Sequence, residues 1–232
     1  MKSYGEFCAL SRSLDVIGDR WTLLIVRELL IGPSRYSDLQ RSLPGIATNL
    51  LAQRLRSLEE SGVVTSREEL APVSARVYSL TEWGRRLQRP LIEIARWGAP
   101  LMAAPAAADE HSRGRWLVFA IMALYPDADE LADNPSLPHV CARVDADGDS
   151  LLLVTDGTGL HVTVTNPNTV AEVIIEGTSD EVFRTLSAER THLPRARVTG
   201  DEQAVTRLTA FTALAHTSGL QLSVSSLDGE FP

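Results

Sequence analysis

Cysteine is scarce in this sequence: of 232 residues, only Cys8 and Cys141 carry a thiol. They lie far apart without metal-ligand spacing, which argues against a disulfide framework and fits a reducing, cytoplasmic setting. Long apolar runs are missing as well. No stretch approaches the roughly 20 residues that cross a bilayer. Met1-Lys2-Ser3-Tyr4-Gly5-Glu6 opens without the apolar core of a secretory leader, so no membrane partner is expected. Lysine is nearly absent, Lys2 being the only one, and positive charge rests on arginine.

Catalytic signatures are lacking too. There is no Gly-x-Ser-x-Gly, phosphate loop or dinucleotide fingerprint. The five histidines, His111, His139, His161, His192 and His216, show no paired ligand spacing. Asp145-Ala146-Asp147-Gly148-Asp149 resembles half of a calcium loop, but Ser150 stands where glycine is needed and Asp156 where a bidentate glutamate is needed, so a hairpin turn explains it better. The expectation is a protein that is not an enzyme and uses no metal and no cofactor.

What is present is uneven in charge. The net charge of −8 divides into 14 basic against 11 acidic residues through residue 103 and 8 against 19 after it. A mildly basic half joined to an acidic one implies that only the first approaches phosphate. Between them Pro100-Leu101-Met102-Ala103-Ala104-Pro105-Ala106-Ala107-Ala108 is small, uncharged and proline-flanked, which reads as a linker. Two α+β domains are expected, over residues 1–103 and 112–232.

In the first domain, helical spacing predicts helices over 8–17, 20–31, 36–43 and 48–61, stopped by Gly18, Gly32-Pro33, Pro44-Gly45 and Gly62. Residues 63–67 and 75–80 read as two strands around a loop containing Pro72. Thr81 starts a further helix, interrupted at Pro90 and continuing through Trp97. Helices followed by a hairpin give the order of a winged helix-turn-helix, with 48–61 as the recognition helix. On its wheel Leu50, Leu51, Leu55 and Leu58 face inward, while Asn49, Gln53, Arg56 and Glu60 face out. Amide side chains reach adenine edges and arginine reaches guanine or phosphate, so Asn49, Gln53 and Arg56 suit a major groove; an ordinary solvated helix face has the same composition. Thr48 reads as the N-cap, at a helix start suited to phosphate. Arg35 is a candidate phosphate contact, and Arg67 and Arg76 flank the wing loop. Arg54 projects toward the leucine side, where an ion pair bracing the motif is its expected role.

Several stretches resemble the HxlR-type regulators: Cys8-Ala9-Leu10-Ser11-Arg12-Ser13-Leu14-Asp15-Val16-Ile17-Gly18-Asp19-Arg20-Trp21-Thr22-Leu23-Leu24-Ile25, then Tyr36-Ser37-Asp38-Leu39-Gln40 with Leu43-Pro44-Gly45-Ile46, Thr48-Asn49-Leu50-Leu51-Ala52-Gln53-Arg54-Leu55, and Tyr78-Ser79-Leu80-Thr81-Glu82-Trp83-Gly84. The resemblance runs over about 95 residues and implies a transcriptional regulator that binds double-stranded operator DNA as a homodimer. Its outer helices, near 5–15 and 86–102, would pack across the dimer axis. Ala47 and Ala9 depart from the family's usual Ser and Pro. Cys8 matches a position that senses oxidants or electrophiles in some members, and a thiol at a helix start near Arg12 is expected to have a lowered pKa. Free cysteines also serve as small buried apolar residues.

The second domain reads as a buried helix over 115–124, strands over 139–144, 151–155, 160–165 and 170–176, a capping-box helix from Thr178 to about Ala188, a helix from Asp201 to about His216, and a closing strand over 220–224. A mostly antiparallel sheet covered by helices is expected. Ile175-Glu176-Gly177-Thr178, a helix around Phe183 and Leu186, then Arg197-Val198-Thr199-Gly200-Asp201 and a final helix resemble the sterol-carrier-protein-like fold. That resemblance implies an apolar small-molecule effector held in this domain; a packed core that only supports assembly is the other reading.

Overall fold

The computed structural model describes residues 3–69, 75–102, 110–125, 139–156, 159–187 and 194–217. It divides into two units, Met1–Leu91 and Ile92–Pro232. The expected linker falls mostly on residues 103–109, and the wing tip with Pro72 and the closing strand over 220–224 likewise lie outside the described residues.

The first unit is built around α2 (Thr22–Ile31), whose Ile25 and Val26 are fully buried. Burying an apolar helix inside a small domain is the main favourable term in its folding. The same helix carries Glu28 into the interior, where Arg27 pairs with it at 2.9 Å. Burial pulls the Arg27 pKa down, against the pull of the Glu28 charge. Before α2 comes α1 (Ala9–Ile17), and after it β1 (Ser34–Arg35), α3 (Tyr36–Ser42) and α4 (Thr48–Glu60). Strands β2 (Val64–Glu69) and β3 (Ala75–Leu80) then form an antiparallel ribbon, with β1 on the other side of β3. This is the winged helix-turn-helix order.

Helix α4 ends in a Schellman turn: Val63 N–H donates to the Leu58 carbonyl and Gly62 N–H to that of Glu59. Gly62 has φ +76°, a conformation that glycine adopts without cost. On α4, Leu51, Leu55 and Leu58 are buried as expected, whereas Leu50 is only half-buried.

The helix boundary after the wing differs from the expected one. The break after the wing lies between α5 (Glu82–Arg85) and α6 (Gln88–Gly98), not at Pro90. Pro90 sits in the first turn of α6, where its missing N–H has no helical acceptor to lose. Thr81 caps α5 by accepting from Gly84 N–H at 3.0 Å. Gly84 has no room for a side chain, since a Cβ there would fall 2.1 Å from the Val63 carbonyl oxygen. The division between the units falls within α6, and a 3₁₀ turn, Ala99–Met102, follows it.

In the second unit a 3₁₀ turn (Gly114–Trp116) leads into α7 (Leu117–Leu124), buried on most sides. Strands β4 (Val140–Ala146), β5 (Asp149–Asp156) and β6 (Gly159–Thr165) form an antiparallel meander. Asp147 and Gly148, both at positive φ, make the tight turn between the first two, the geometry that favours Asp-Gly in a hairpin. Strand β7 (Val173–Gly177) pairs parallel to β4, and β8 (Arg197–Gly200) closes the order β6-β5-β4-β7-β8. The expected strand from Val170 therefore begins three residues later; Val170 is exposed, and Arg197–Gly200 is a strand that was not expected. Helix α8 (Ser179–Leu186) starts with the capping box between Thr178 and Glu181, and α9 spans Glu202–Thr217. Alternation on the sheet buries Val140, Ala142, Val144, Leu151, Leu153, Val173 and Ile175, the period-two pattern of a sheet covered on one face. Ala204 and Leu208 of α9 are buried too.

Candidate nucleic-acid interface

Asn49, Gln53, Arg56 and Glu60 are all exposed on α4, on the side opposite the buried leucines, as the 3.6-residue period requires. Asn49 accepts from the Leu50 N–H at 2.9 Å, and Arg56 leans back on the Ala52 carbonyl at 3.4 Å. Gln53 stands between them. The three present amide and guanidinium groups along two helical turns, a donor and acceptor set matched to base edges and phosphate.

Three sets of contacts hold this helix. At its start, Gln40 donates to the Thr48 hydroxyl at 2.7 Å and the Tyr36 hydroxyl to the Thr48 carbonyl at 2.5 Å. Thr48 is therefore the first helical residue and not the cap. Ala47 occupies the cap position without a side-chain bond, as expected for a residue with no oxygen to offer. In the middle, Arg54 pairs with Asp19 at 2.6 Å and donates to the Arg20 carbonyl, the bracing role expected of it. Near its end, Glu59 meets Arg76 of β3 at 3.0 Å.

Arg35 and Arg67 lie across from Val77 on the two sides of β3. Arg67 is exposed and Arg35 half-buried. Arg76 is on the opposite face of the ribbon from Arg67, by strand alternation, and is tied to Glu59 and Ser66. The structure thus brings Asn49, Gln53 and Arg56 onto one face and turns Arg76 toward the helix. Glu59 and Ser66 were not singled out from the sequence: they are 7 residues apart and meet only because the ribbon folds back on α4.

Cys8 is exposed at the N-cap of α1. Its pKa is lowered chiefly by the backbone N–H of Ser11, then that of Leu10. Arg12, the expected cause, instead donates to the Glu6 carbonyl at 3.2 Å. In the second unit, a cleft of about 580 Å³ is lined by residues of α8, β8 and α9, including Thr185, Val198, Val205 and Thr209. Among the described residues no group of three or more His, Cys, Asp or Glu is placed to hold a metal, and no helix is long and apolar enough to cross a membrane.

Residues 16–105 match the model of the HxlR-like helix-turn-helix family. The HTH-type transcriptional regulator YvaP of Bacillus subtilis is 37% identical over 94 residues, 40% of this chain and 86% of its own length. YkvN of the same organism, also an HTH-type transcriptional regulator, is 41% identical over 92 residues, 39% of this chain and 77% of its own. Among solved structures, the reduced transcriptional regulator YodB from B. subtilis is 29% identical, covering 44% of this chain and all of that one, with a TM-score of 0.38.

Proposed function

This chain belongs to the HxlR-like helix-turn-helix family of transcriptional regulators, and on that premise we propose that it binds operator DNA as a homodimer under the control of a small molecule held in its second unit. The observation that carries the DNA reading is the exposed Asn49–Gln53–Arg56 face on a helix braced at start, middle and end. Helices that read bases need such fixed placement, because a bidentate contact tolerates little misalignment. Arg35, Thr48 and Arg67 are the proposed backbone-phosphate contacts beside that face.

Dimerisation is supported by apolar side chains left open to water. Tyr4, Phe7, Leu10 and Leu14 are exposed on α1 and the segment before it. Ile94 and Trp97 on α6 and Leu101 and Met102 just after it are exposed as well. Monomeric proteins rarely expose large contiguous apolar patches, and these residues follow one another along the two segments expected at the dimer axis. A second copy of this chain is the proposed occupant.

Control is proposed to pass along α6, whose later part, Arg96 included, belongs to the second unit. The Arg96 guanidinium donates to the carbonyls of Ala123 and Tyr125 at the end of α7. A change in α7 thereby reaches the helix proposed to set dimer geometry. The two recognition helices of such dimers sit about 34 Å apart on DNA, and a small change in that spacing spoils the fit. A cleft lined by Ala196, Val198 and Val205 beside Arg195, Glu202 and three threonines supports an effector that carries polar groups alongside an apolar part.

The test of the DNA reading is binding of the full-length chain to DNA across a salt series, where each neutralised phosphate contributes a slope of about −0.9. A flat response overturns it and favours a small-molecule carrier whose helix-turn-helix serves assembly. For control, an apolar ligand that binds the intact chain should shift operator affinity by about 5–150-fold, and truncation at residue 104 should abolish that response. A second reading rests on the exposed, acidified Cys8 thiol: if oxidation of Cys8 releases DNA while ligands do nothing, control belongs to the thiol.

A further inference from the structure

Strand alternation sets Ser66 and Glu68 of β2 on one face with Arg76 and Tyr78 of β3, in the pairs Ser66 with Tyr78 and Glu68 with Arg76. That face meets the last turn of α4. Arg76 donates through Nη2 to both carboxylate oxygens of Glu59, at 3.0 and 3.3 Å, and through Nε to the Ser66 hydroxyl at 2.7 Å. Ser66 in turn donates to Glu59 at 2.5 Å. The guanidinium also lies 5.5 Å from the centre of the buried Tyr78 ring. Each of the three side chains bonds to the other two, so the ring joins three successive elements: recognition helix, first wing strand, second wing strand.

Charge explains why the ring is there. The last turn of α4 carries Glu59 and no basic residue, although the negative end of the helix dipole disfavours acid at that end. Arg76 supplies the missing positive charge from the wing. Its own charge is then met by Glu59 in the ring and faced by Glu68 across the ribbon. A phosphate approaching Arg76 has to displace a charge-assisted pair and passes beside a second carboxylate.

Resting on the DNA reading above, we propose that Arg76 is a positioning residue, which with Glu59 and Ser66 fixes the wing's angle to the recognition helix, and that it is not a phosphate contact. The probe is a duplex selected by the full-length chain from a random-sequence library. Failure to recover any duplex sinks the DNA reading itself and is distinct from failure of this proposal. With a selected duplex, Arg76→Ala and Glu59→Gln should each weaken binding roughly 3–10-fold, and the double variant should lose no more than the worse single one, as coupled neighbours do. The salt slope should stay that of the unaltered protein. The charge-swapped pair Glu59→Arg with Arg76→Glu should regain most of the affinity. The proposal is overturned if Arg76→Ala lowers the salt slope by about 0.9, the mark of one lost phosphate contact. It is equally overturned if Glu59→Gln tightens binding, if neither variant changes it, or if the swap binds worse than either single variant. Should Arg76→Ala fail to fold, Ser66→Ala opens the same ring with a smaller lesion and must give the same signs.

Discussion

The chain through Met102 and the chain from Glu110 onward treat apolar surface in opposite ways. Among the described residues, ten large apolar side chains are exposed in the first region, from Tyr4 to Met102, and only Val164 and Val170 in the second. The first region also holds its polar groups outward, on α4 and the wing, whereas the second packs Leu151, Leu153, Ile175 and Leu186 inside a sheet and its helices. Apolar outer helices and a polar face on α4 are the two surfaces on which the proposed dimer and DNA contacts rest. A region that hides its apolar residues has the packed interior of an ordinary folded domain, and its proposed small-molecule role rests on the cleft between α8, β8 and α9.

The largest effects should separate the two units. Arg27→Ala removes the charge beside the buried Glu28 and should cost about 3–5 kcal/mol, while Leu153→Ala in the second sheet should cost about 2–5 kcal/mol. Followed by chemical denaturation, each should shift a different transition. If both variants move one shared transition equally, the units fold as one and the comparison breaks.

Next in size is the exposed apolar surface. Trp97→Asp, at a residue that is 79% exposed, should leave the fold intact and weaken self-association by about 2–4 kcal/mol, the range of an interface hot spot. Sedimentation at micromolar concentration measures it. An unchanged dimer would move the interface elsewhere.

Smaller still is base reading. Asn49→Ala and Gln53→Ala should each reduce discrimination between operator and random DNA by about 1–3 kcal/mol, with helix content unchanged by circular dichroism. Equal loss on both DNAs would make the face a backbone contact only.

The smallest effect concerns Cys8. Its pKa lies below that of an ordinary thiol because the Ser11 and Leu10 N–H groups favour the thiolate, so the thiolate fraction is present at lower pH than in a free cysteine. The pH midpoint of its alkylation should fall below that of a model peptide thiol. A midpoint at or above the peptide's would remove the support for a sensing role.

Much of this was legible in the sequence because local rules carry it. Helical period separated Leu51, Leu55 and Leu58 from Asn49, Gln53 and Arg56; the Thr178–Glu181 capping box and the Asp147–Gly148 turn were visible as motifs of four and two residues. Boundaries were less legible. Pro90 signals a break to a local reading, yet the first turn of a helix accepts it, and whether a turn is first depends on where the preceding helix stops. Thr48 looks like a cap by composition, but its hydroxyl serves Gln40 from the neighbouring helix. The short strand Arg197–Gly200 carries little pattern of its own and exists because β7 offers it an edge.

By itself, then, the amino-acid order determined the winged helix-turn-helix, its outward polar face and the α+β character of the second half, since each follows from periodicities and caps spanning a few residues. Tertiary structure alone decided which partners the arginines meet. Arg54 found Asp19 across 35 residues of sequence and Arg76 found Glu59 across 17, as did the parallel placement of β7 beside β4. A guanidinium reads as a DNA contact or a brace only from the carboxylates that surround it, and those arrive from distant parts of the chain once the apolar core has closed.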